Sequence, residues 1–402
     1  MRLHLIITLY MDQEVNMVQQ HYTIESTPSV TPPVREISES ASVRRLVNHD
    51  IMNCTADGVV GNEYYSARAL GMTNEQDIIQ LSPKLKSEWP YICEHYDRIG
   101  LSYTRDVIWN TDLEQCALNP TYLPSVFFFG EDEHRSYKDD AWKGVVNYIN
   151  SKNNFMGLAK ILGVPVPQTL CFDRVAEITH IAAGTFQYPC YLKASISVSG
   201  VGIYRCETPE ALMESAATFA PSTPVQVQEE VVTDCFLNMQ YEVTDGWYRR
   251  LLTTEQILEG PVHQGNIHPP RTAPWEIVEP MAEWMTRHGF KGVFAFDVAV
   301  IETPEETRYL AIECNPRYNG ASYPTAIAKK LDIPAWESRY FKTWHKSLSE
   351  VDLKGLEYDS ETGEGVIIVN WGPIFAGKLM FMLAGNEKVR RQLDIELTKR
   401  LW

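Results

Sequence analysis

The sequence predicts a chain of several domains in the mixed α/β and α+β classes. The chain has 402 residues, 44% of them hydrophobic, which is too long for one small domain and apolar enough for two or three packed ones. From residue 151 onward, capped helix patterns alternate with short apolar strands. A strand, a polar turn and a returning strand between Gly292 and Asn315 read as an antiparallel hairpin.

Lys plus Arg number 36 against 52 Asp plus Glu, a net charge of −16 that repels phosphate backbones and argues against nucleic-acid or anionic-membrane binding. A small anionic ligand remains compatible, because a few basic residues can line one cleft. The eight cysteines are scattered without a C-x-x-C pair, so zinc and dithiol chemistry are unsupported and a reducing cytoplasmic location is expected. No apolar run approaches the roughly 20 residues that span a bilayer. Met1 to Tyr10 reads as a first strand or a start-site extension rather than a signal peptide.

Taken in order, residues 21–45 are rich in Ser, Thr, Pro and Glu and predict an exposed loop. Residues 64–118 carry helical patterns broken by Pro83 and Pro90, and Ser125 to Gly130 is a short strand. Ser151 caps a helix whose Phe155, Leu158, Ala159 and Leu162 share a face; Gly163 ends it, and Pro165 and Pro167 enforce an extended exit. Tyr188–Lys193 and Gly202–Cys206 are strands joined by a Ser-rich loop. A helix follows from Thr208-Pro209 to about Phe219, with Thr as its cap. Val225–Val232 and Trp247–Thr253 read as strands, and Gly260–Arg271 as an irregular segment. Trp275 to His288 is an amphipathic helix with Ile277, Met281, Trp284 and Met285 on one face. Gly365 to Trp402 reads as a strand, a Gly-Pro turn and a helix, with Lys378 solvated.

Chemistry concentrates in the hairpin. Glu313 and Asn315 are two apart and leave the same face of one strand. The turn at Pro304-Glu305 sets Asp297, a carboxylate in an apolar strand, opposite Glu313. Facing carboxylates repel unless neutralised, and carboxylate and amide oxygens suit Mg²⁺, or Mn²⁺ in its place. The plainer reading leaves Asp297 at a strand edge and pairs Glu313 with Arg308 or Arg317. Lys193 ends a strand before the loop 194–201, where backbone N–H groups and hydroxyls could cover phosphates, although no Walker A pattern is present. A surface hairpin with a solvated lysine is the alternative. Gln226–Val232 offers backbone groups to an adenine edge, or is an edge strand with solvated acids.

In their order, Lys152 before a helix ending G-V-P-V-P, Y-P-C-Y-L-K to Lys193, V-Q-V-Q-E-E-V-V, F-D-V around Asp297, and E-C-N-P-R from Glu313 to Arg317 resemble the ATP-grasp superfamily of ATP-dependent carboxylate–amine ligases. The resemblance covers roughly residues 150 to 330. It implies an N-terminal α/β domain over 1–145, a small central domain over 146–224 and a C-terminal domain over 225–402. Lys152 and Lys193 match lysines that hold ATP phosphates. Glu229 matches the acid near adenine, and Glu230 to Val232 the hinge beside it. Asp297, Glu313 and Asn315 match Mg²⁺ ligands, and Arg317 the arginine that steadies the acyl phosphate. The usual ribose-binding Glu is missing, so either Asp234 or Asn238 takes that place or the ribose contact differs.

The implied reaction is ATP-dependent amide formation between a carboxylate and an amine of amino-acid-like small molecules, through an acyl phosphate and in a biosynthetic pathway. The alternatives are a small-molecule kinase and a nucleotide-binding regulatory protein. Small-molecule acid and amine partners are expected, with a homodimer as the assembly. His263, Asn266, His268 and Arg271, on the irregular segment, are candidates for the substrate pocket or else belong to a surface loop.

Overall fold

The computed structural model describes residues 44–55, 60–114, 121–197, 202–259 and 262–402. The readings of Met1–Tyr10, of nearly all of 21–45 and of loop residues 198–201 lie outside these. Three sheets follow one another along the chain.

The first sheet is parallel: β1 (Arg45–Asn48), β2 (Ile78–Gln80), β3 (Val107–Ile108) and β4 (Leu123–Val126), in the order β3-β2-β1-β4. The 64–118 stretch thus holds two strands that its mixed pattern conceals, besides a 3₁₀ segment Asn62–Met72 and a helix Trp89–Arg98. Strands of two or three residues are too short to show a period. The strand expected over Ser125–Gly130 ends at Val126, and Phe127 to Gly130 lead into a helix at Glu131.

The second sheet is antiparallel: β5 (Thr169–Phe172), β6 (Cys190–Ala194), β7 (Ile203–Cys206) and β8 (Val225–Glu229), in the order β5-β8-β6-β7. Leu192 and Val227 pack with Leu212 of the helix Pro209–Ala216, whose N-cap Thr208 accepts from Ala211 N–H at 3.2 Å. Since β8 pairs with both β5 and β6, this unit extends to Glu229 and does not end at residue 224.

The third sheet has eight strands: β9 (Cys235–Thr244), β10 (Trp247–Glu259), β11 (Val262–His268), β12 (Gly292–Glu302), β13 (Thr307–Asn315), β14 (Trp336–Lys342), β15 (Gly365–Asn370) and β16 (Lys378–Ala384). Their order is β13-β12-β9-β10-β11-β14-β16-β15. Residues 262–268, read as irregular, form a central strand. A Cβ on Gly265 would meet the Ser338 carbonyl at 2.1 Å, so glycine there permits the approach of β14 rather than a loop. The C-terminal segment likewise gains β16, which supplies Leu379 to Ala384 to the core.

The β12–β13 side is covered by helices Asp140–Asn150, Lys152–Leu162 and Trp275–Arg287 around Phe155, Met281, Phe294 and Phe296. On Trp275–Arg287 Val278 is fully buried, whereas Ile277 only packs at the margin. On the far side, one core merges Val47, Ile79 and Leu81 of the first sheet region with Trp336, Ile367 and Phe381 of the third. Each such Leu, Ile or Phe contributes about 1.5–3 kcal/mol by burial. The N-terminal sheet therefore packs on the C-terminal strands rather than standing apart. Among the described residues no helix is long and apolar enough to cross a membrane.

Candidate functional site

Lys152 opens its helix because Ser151 caps it, the Ser151 hydroxyl accepting from Asn154 N–H at 3.3 Å. The same hydroxyl lies 2.8 Å from Ser195 Oγ, and Lys152 N–H donates to the Ser195 carbonyl at 2.7 Å. The helix start is thereby tied to the end of β6, which carries Lys193. Gly163, at φ 70°, closes the helix in the left-handed conformation.

Across from these lysines lies the hairpin. Asp297 on β12 stands opposite Glu313 on β13, with Ala295 opposite Asn315. Lys152 Nζ pairs with Glu313 Oε2 at 2.9 Å, whereas Arg308 pairs with Glu306 and Arg317 acts on Glu313 only through its charge. Lys193 Nζ donates to Gln228 Oε1 at 2.6 Å. Asn315 donates to Asp297 Oδ2 at 2.9 Å and accepts from Arg317 Nη1. Lys152, Lys193, Asp297, Glu313, Asn315 and Arg317 thus gather where the second and third sheets face each other.

Two amides complete the shell of Asp297. Asn238 on β9 donates to its Oδ1 at 2.8 Å, and Gln256 on β10 donates to the same oxygen at 2.6 Å. Asn238, expected near a ribose, therefore sits beside the acidic pair, because β9 is the neighbour of β12 and sets it opposite Asp297. Gln256 escapes a reading of the sequence. Thr253, Thr254 and Glu255 precede it, so no apolar run singles it out, and the register that aims it at Asp297 depends on a bulge between Arg250 and Leu252.

Electrostatics follow from burial. Burial and then the Glu313 charge push the Asp297 carboxyl up from its ordinary value. Burial acts on Glu313 in the same sense, but Lys152, Lys193 and Arg317 outweigh it and hold its pKa down. Burial brings the Lys193 ammonium down to about 8, against the Glu313 charge and with that of Lys152.

Among the described residues no three His, Cys, Asp or Glu side chains cluster as a metal site, so a cation here needs amide oxygens beside the two carboxylates. Asn315 Oδ1 is one. Asn238 Oδ1, buried and without a hydrogen-bond partner, is a second. This all-oxygen set fits a hard divalent cation such as Mg²⁺. On the lysine side, Gln226, opposite Lys193 in the β6–β8 ladder, is fully buried with both amide atoms unpartnered.

Other expected residues stand outside this cluster. Glu229 accepts from Gln168 N–H at 2.8 Å at the end of β8. Glu230 pairs with Arg205 at 2.5 Å, and Val232 is 82% exposed. Asn266 is buried between His263, at 3.0 Å, and Thr254, at 3.1 Å. His268 bonds the Thr253 carbonyl and stacks on Trp336. Arg271 is held by Glu255 and Asp234 at 3.1 and 3.3 Å, which satisfies its charge within the protein. Lys378 is not solvated as expected: its Nζ lies 3.3 Å from Tyr65 Oη and near the Tyr65 and Tyr340 rings.

No protein-family model and no curated protein matches the sequence. Solved structures do. N5-carboxyaminoimidazole synthetase from Staphylococcus aureus superposes with a TM-score of 0.56 at 11% identity, over 89% of this chain and 96% of that one. N5-carboxyaminoimidazole ribonucleotide synthetase from Thermus thermophilus gives 0.55 at 12%, over 90% and 98%. The N5-carboxyaminoimidazole synthase from Aspergillus clavatus, solved with ADP and 5-aminoimidazole ribonucleotide, gives 0.52 at 11%, over 89% and 98%. The chain has the ATP-grasp fold that its motif order resembles.

Proposed function

We propose that the protein is an ATP-dependent ligase that activates a carboxylate as an acyl phosphate and joins it to an amine, on amino-acid-like small molecules in a biosynthetic reaction. The observation that carries this reading is the meeting of Lys152, Lys193 and Arg317 with Asp297, Glu313 and Asn315 between two sheets. Solved structures of the same fold, named as N5-carboxyaminoimidazole synthase and synthetase, include complexes with ADP.

A carboxylate resists attack by an amine because its leaving group is oxide; phosphorylation replaces oxide with phosphate. Lys152 and Lys193 supply positive charge on the β6 side, where a triphosphate would lie against them. Restoring a counter-charge to Lys193, which burial otherwise weakens as a cation, favours its protonated form. Asp297, Glu313 and Asn315 would hold Mg²⁺, which when bound neutralises phosphate charge during transfer. Arg317, a neighbour of Asn315 Oδ1, would steady the acyl phosphate rather than react covalently. The expected chemistry needs no protein nucleophile.

The test is a screen of acid and amine pairs for ADP release, with products weighed by mass spectrometry. ADP release that requires both partners and yields a mass for a new C–N bond supports the ligase. Release with a phosphorylated hydroxyl compound as a stable product makes it a kinase, and nucleotide binding with no turnover for any pair makes it a regulatory protein.

A further inference from the structure

One buried cation has no carboxylate in ion-pair contact among the described residues, although Asp50 lies near enough to feel its charge. Arg68, on the segment Asn62–Met72, is 7% exposed, and its Nε and Nη2 have no hydrogen-bond partner. Among the described residues no carboxylate pairs with it within 4.0 Å. Its guanidinium instead lies among rings, 4.3 Å from the centroid of Phe127, 4.6 Å from that of Tyr323 and 5.2 Å from that of Tyr65. Ring faces offset part of the cost of desolvating a guanidinium, but they leave its Nε and Nη2 donors unmet. A second cation borders the same ring system. Lys378 Nζ is 5.5 Å from the same Tyr65 ring and 5.5 Å from Tyr340, also without a carboxylate partner among the described residues.

Topology says what this place is for. In the order β3-β2-β1-β4 the strand sequence reverses between β1 and β4, and ligands of open parallel sheets bind outside the carboxyl ends of the strands at such a point. Those ends lead here to His49 and Phe127. His49 is locked between Tyr323 Oη at 3.0 Å and Ser125 Oγ at 3.1 Å. Burial, then the charges of Arg68 and Arg45, keep it neutral. The place also touches the proposed active site: Arg317 lies 5.9 Å from the Phe127 ring that Arg68 stacks on, and Tyr318 N–H donates to the Phe127 carbonyl at 3.2 Å.

We propose that Arg68, with Lys378 at the same Tyr65 ring, binds an anionic group of the substrate, a carboxylate or phosphate remote from the carboxylate that reacts near Arg317. The link to the reacting end rests on the ligase reading; the anion site itself rests on the unmet donors of Arg68.

The test titrates the full-length protein with malonate and, separately, with inorganic phosphate by calorimetry, in saturating ADP and Mg²⁺ so that the nucleotide site is filled. One of the two should bind, the tighter naming the group. Arg68→Met should weaken it about tenfold or more, the loss of a charge-assisted hydrogen bond, with Kd for ADP unchanged. Arg68→Lys keeps the charge but not the planar fork and should fall between. Lys378→Met should also weaken binding, and it carries the test if Arg68→Met does not fold. Absence of binding by both anions, or binding that folded Arg68 and Lys378 variants leave unchanged, overturns the proposal. If the wild-type protein does not bind ADP, the ligase reading falls; anion binding lost in Arg68→Met but kept in Lys193→Met would still establish the site.

Discussion

Lys152 Nζ and Glu313 Oε2 stand 2.9 Å apart, joining the first residue of a helix to the return strand of the hairpin across a sequence separation that no local pattern reveals. The pair lets each charge sit in a partly closed cleft that would disfavour either alone. Glu313→Gln removes one of only two carboxylates of the proposed cation site and frees Lys152. ADP release should fall by about 100-fold or more, as expected when a charge-stabilising group of a phosphoryl-transfer site is lost. Steady-state turnover against Mg²⁺ concentration checks it, and wild-type turnover in Glu313→Gln would remove the metal assignment.

Gln256 touches Asp297 Oδ1 at 2.6 Å but lies outside the expected ligand set. It orients a carboxylate rather than replacing one. Gln256→Ala should raise the Mg²⁺ concentration needed for half-maximal turnover about tenfold, the usual scale for a lost partner of a metal ligand. It should leave the melting temperature within a few degrees. An unchanged Mg²⁺ requirement would show that Asn238 and Asn315 alone fix the Asp297 carboxylate.

These two cases show what was legible in the sequence. The hairpin was, because β12 and β13 are adjacent in the chain and a short turn fixes that Asp297 meets Glu313. Lys193 at the end of β6 and the capped helix at Ser151 were legible for the same local reason. Gln256 was not, since its aim depends on a bulge in a different hairpin. Residues 262–268 were misread because a strand with two His, a Gly and an Asn looks like a loop until its neighbours on both sides are known. Lys378 was misread because the aromatic side chains beside it, Tyr65 and Tyr340, lie far away in the chain.

Stability should fall in acid through one long-range contact. His95 Nε2 accepts from Ile368 N–H at 3.0 Å, so the other ring nitrogen carries the proton and donates to Glu357 Oε1 at 2.7 Å. Burial lowers the His95 pKa despite the Glu357 charge. Burial raises that of Glu357, but the hydrogen bonds from His95 and Arg98 prevail and bring it to about 2. Both folded-state values lie below the unfolded ones, so both contributions are complete at neutral pH. The His95 share is lost as pH falls below about 6.5, and the Glu357 share between about pH 5 and 2. Urea midpoints measured from pH 7.5 to pH 4 should decline, and Glu357→Gln should flatten the decline below pH 5. A midpoint that rose on acidification would contradict the assignment.

The Ser151 hydroxyl does two jobs: it caps the helix that begins with Lys152, and it contacts Ser195 Oγ at 2.8 Å next to β6. Ser151→Ala should cost about 1 kcal/mol for the cap alone. Because the Ser195 contact ties the helix start to the second sheet, the two lysines should also lose their fixed separation. A stability loss of that size, accompanied by a KM for ATP raised several-fold at little change in kcat, is the expected outcome of urea unfolding and steady-state kinetics. Ser151→Thr keeps the oxygen and should restore both. If Ser151→Ala lowers stability by the expected amount while KM stays at the wild-type value, the serine acts as a helix cap only, and the spacing of Lys152 and Lys193 is set by the backbone bond from Lys152 N–H to Ser195.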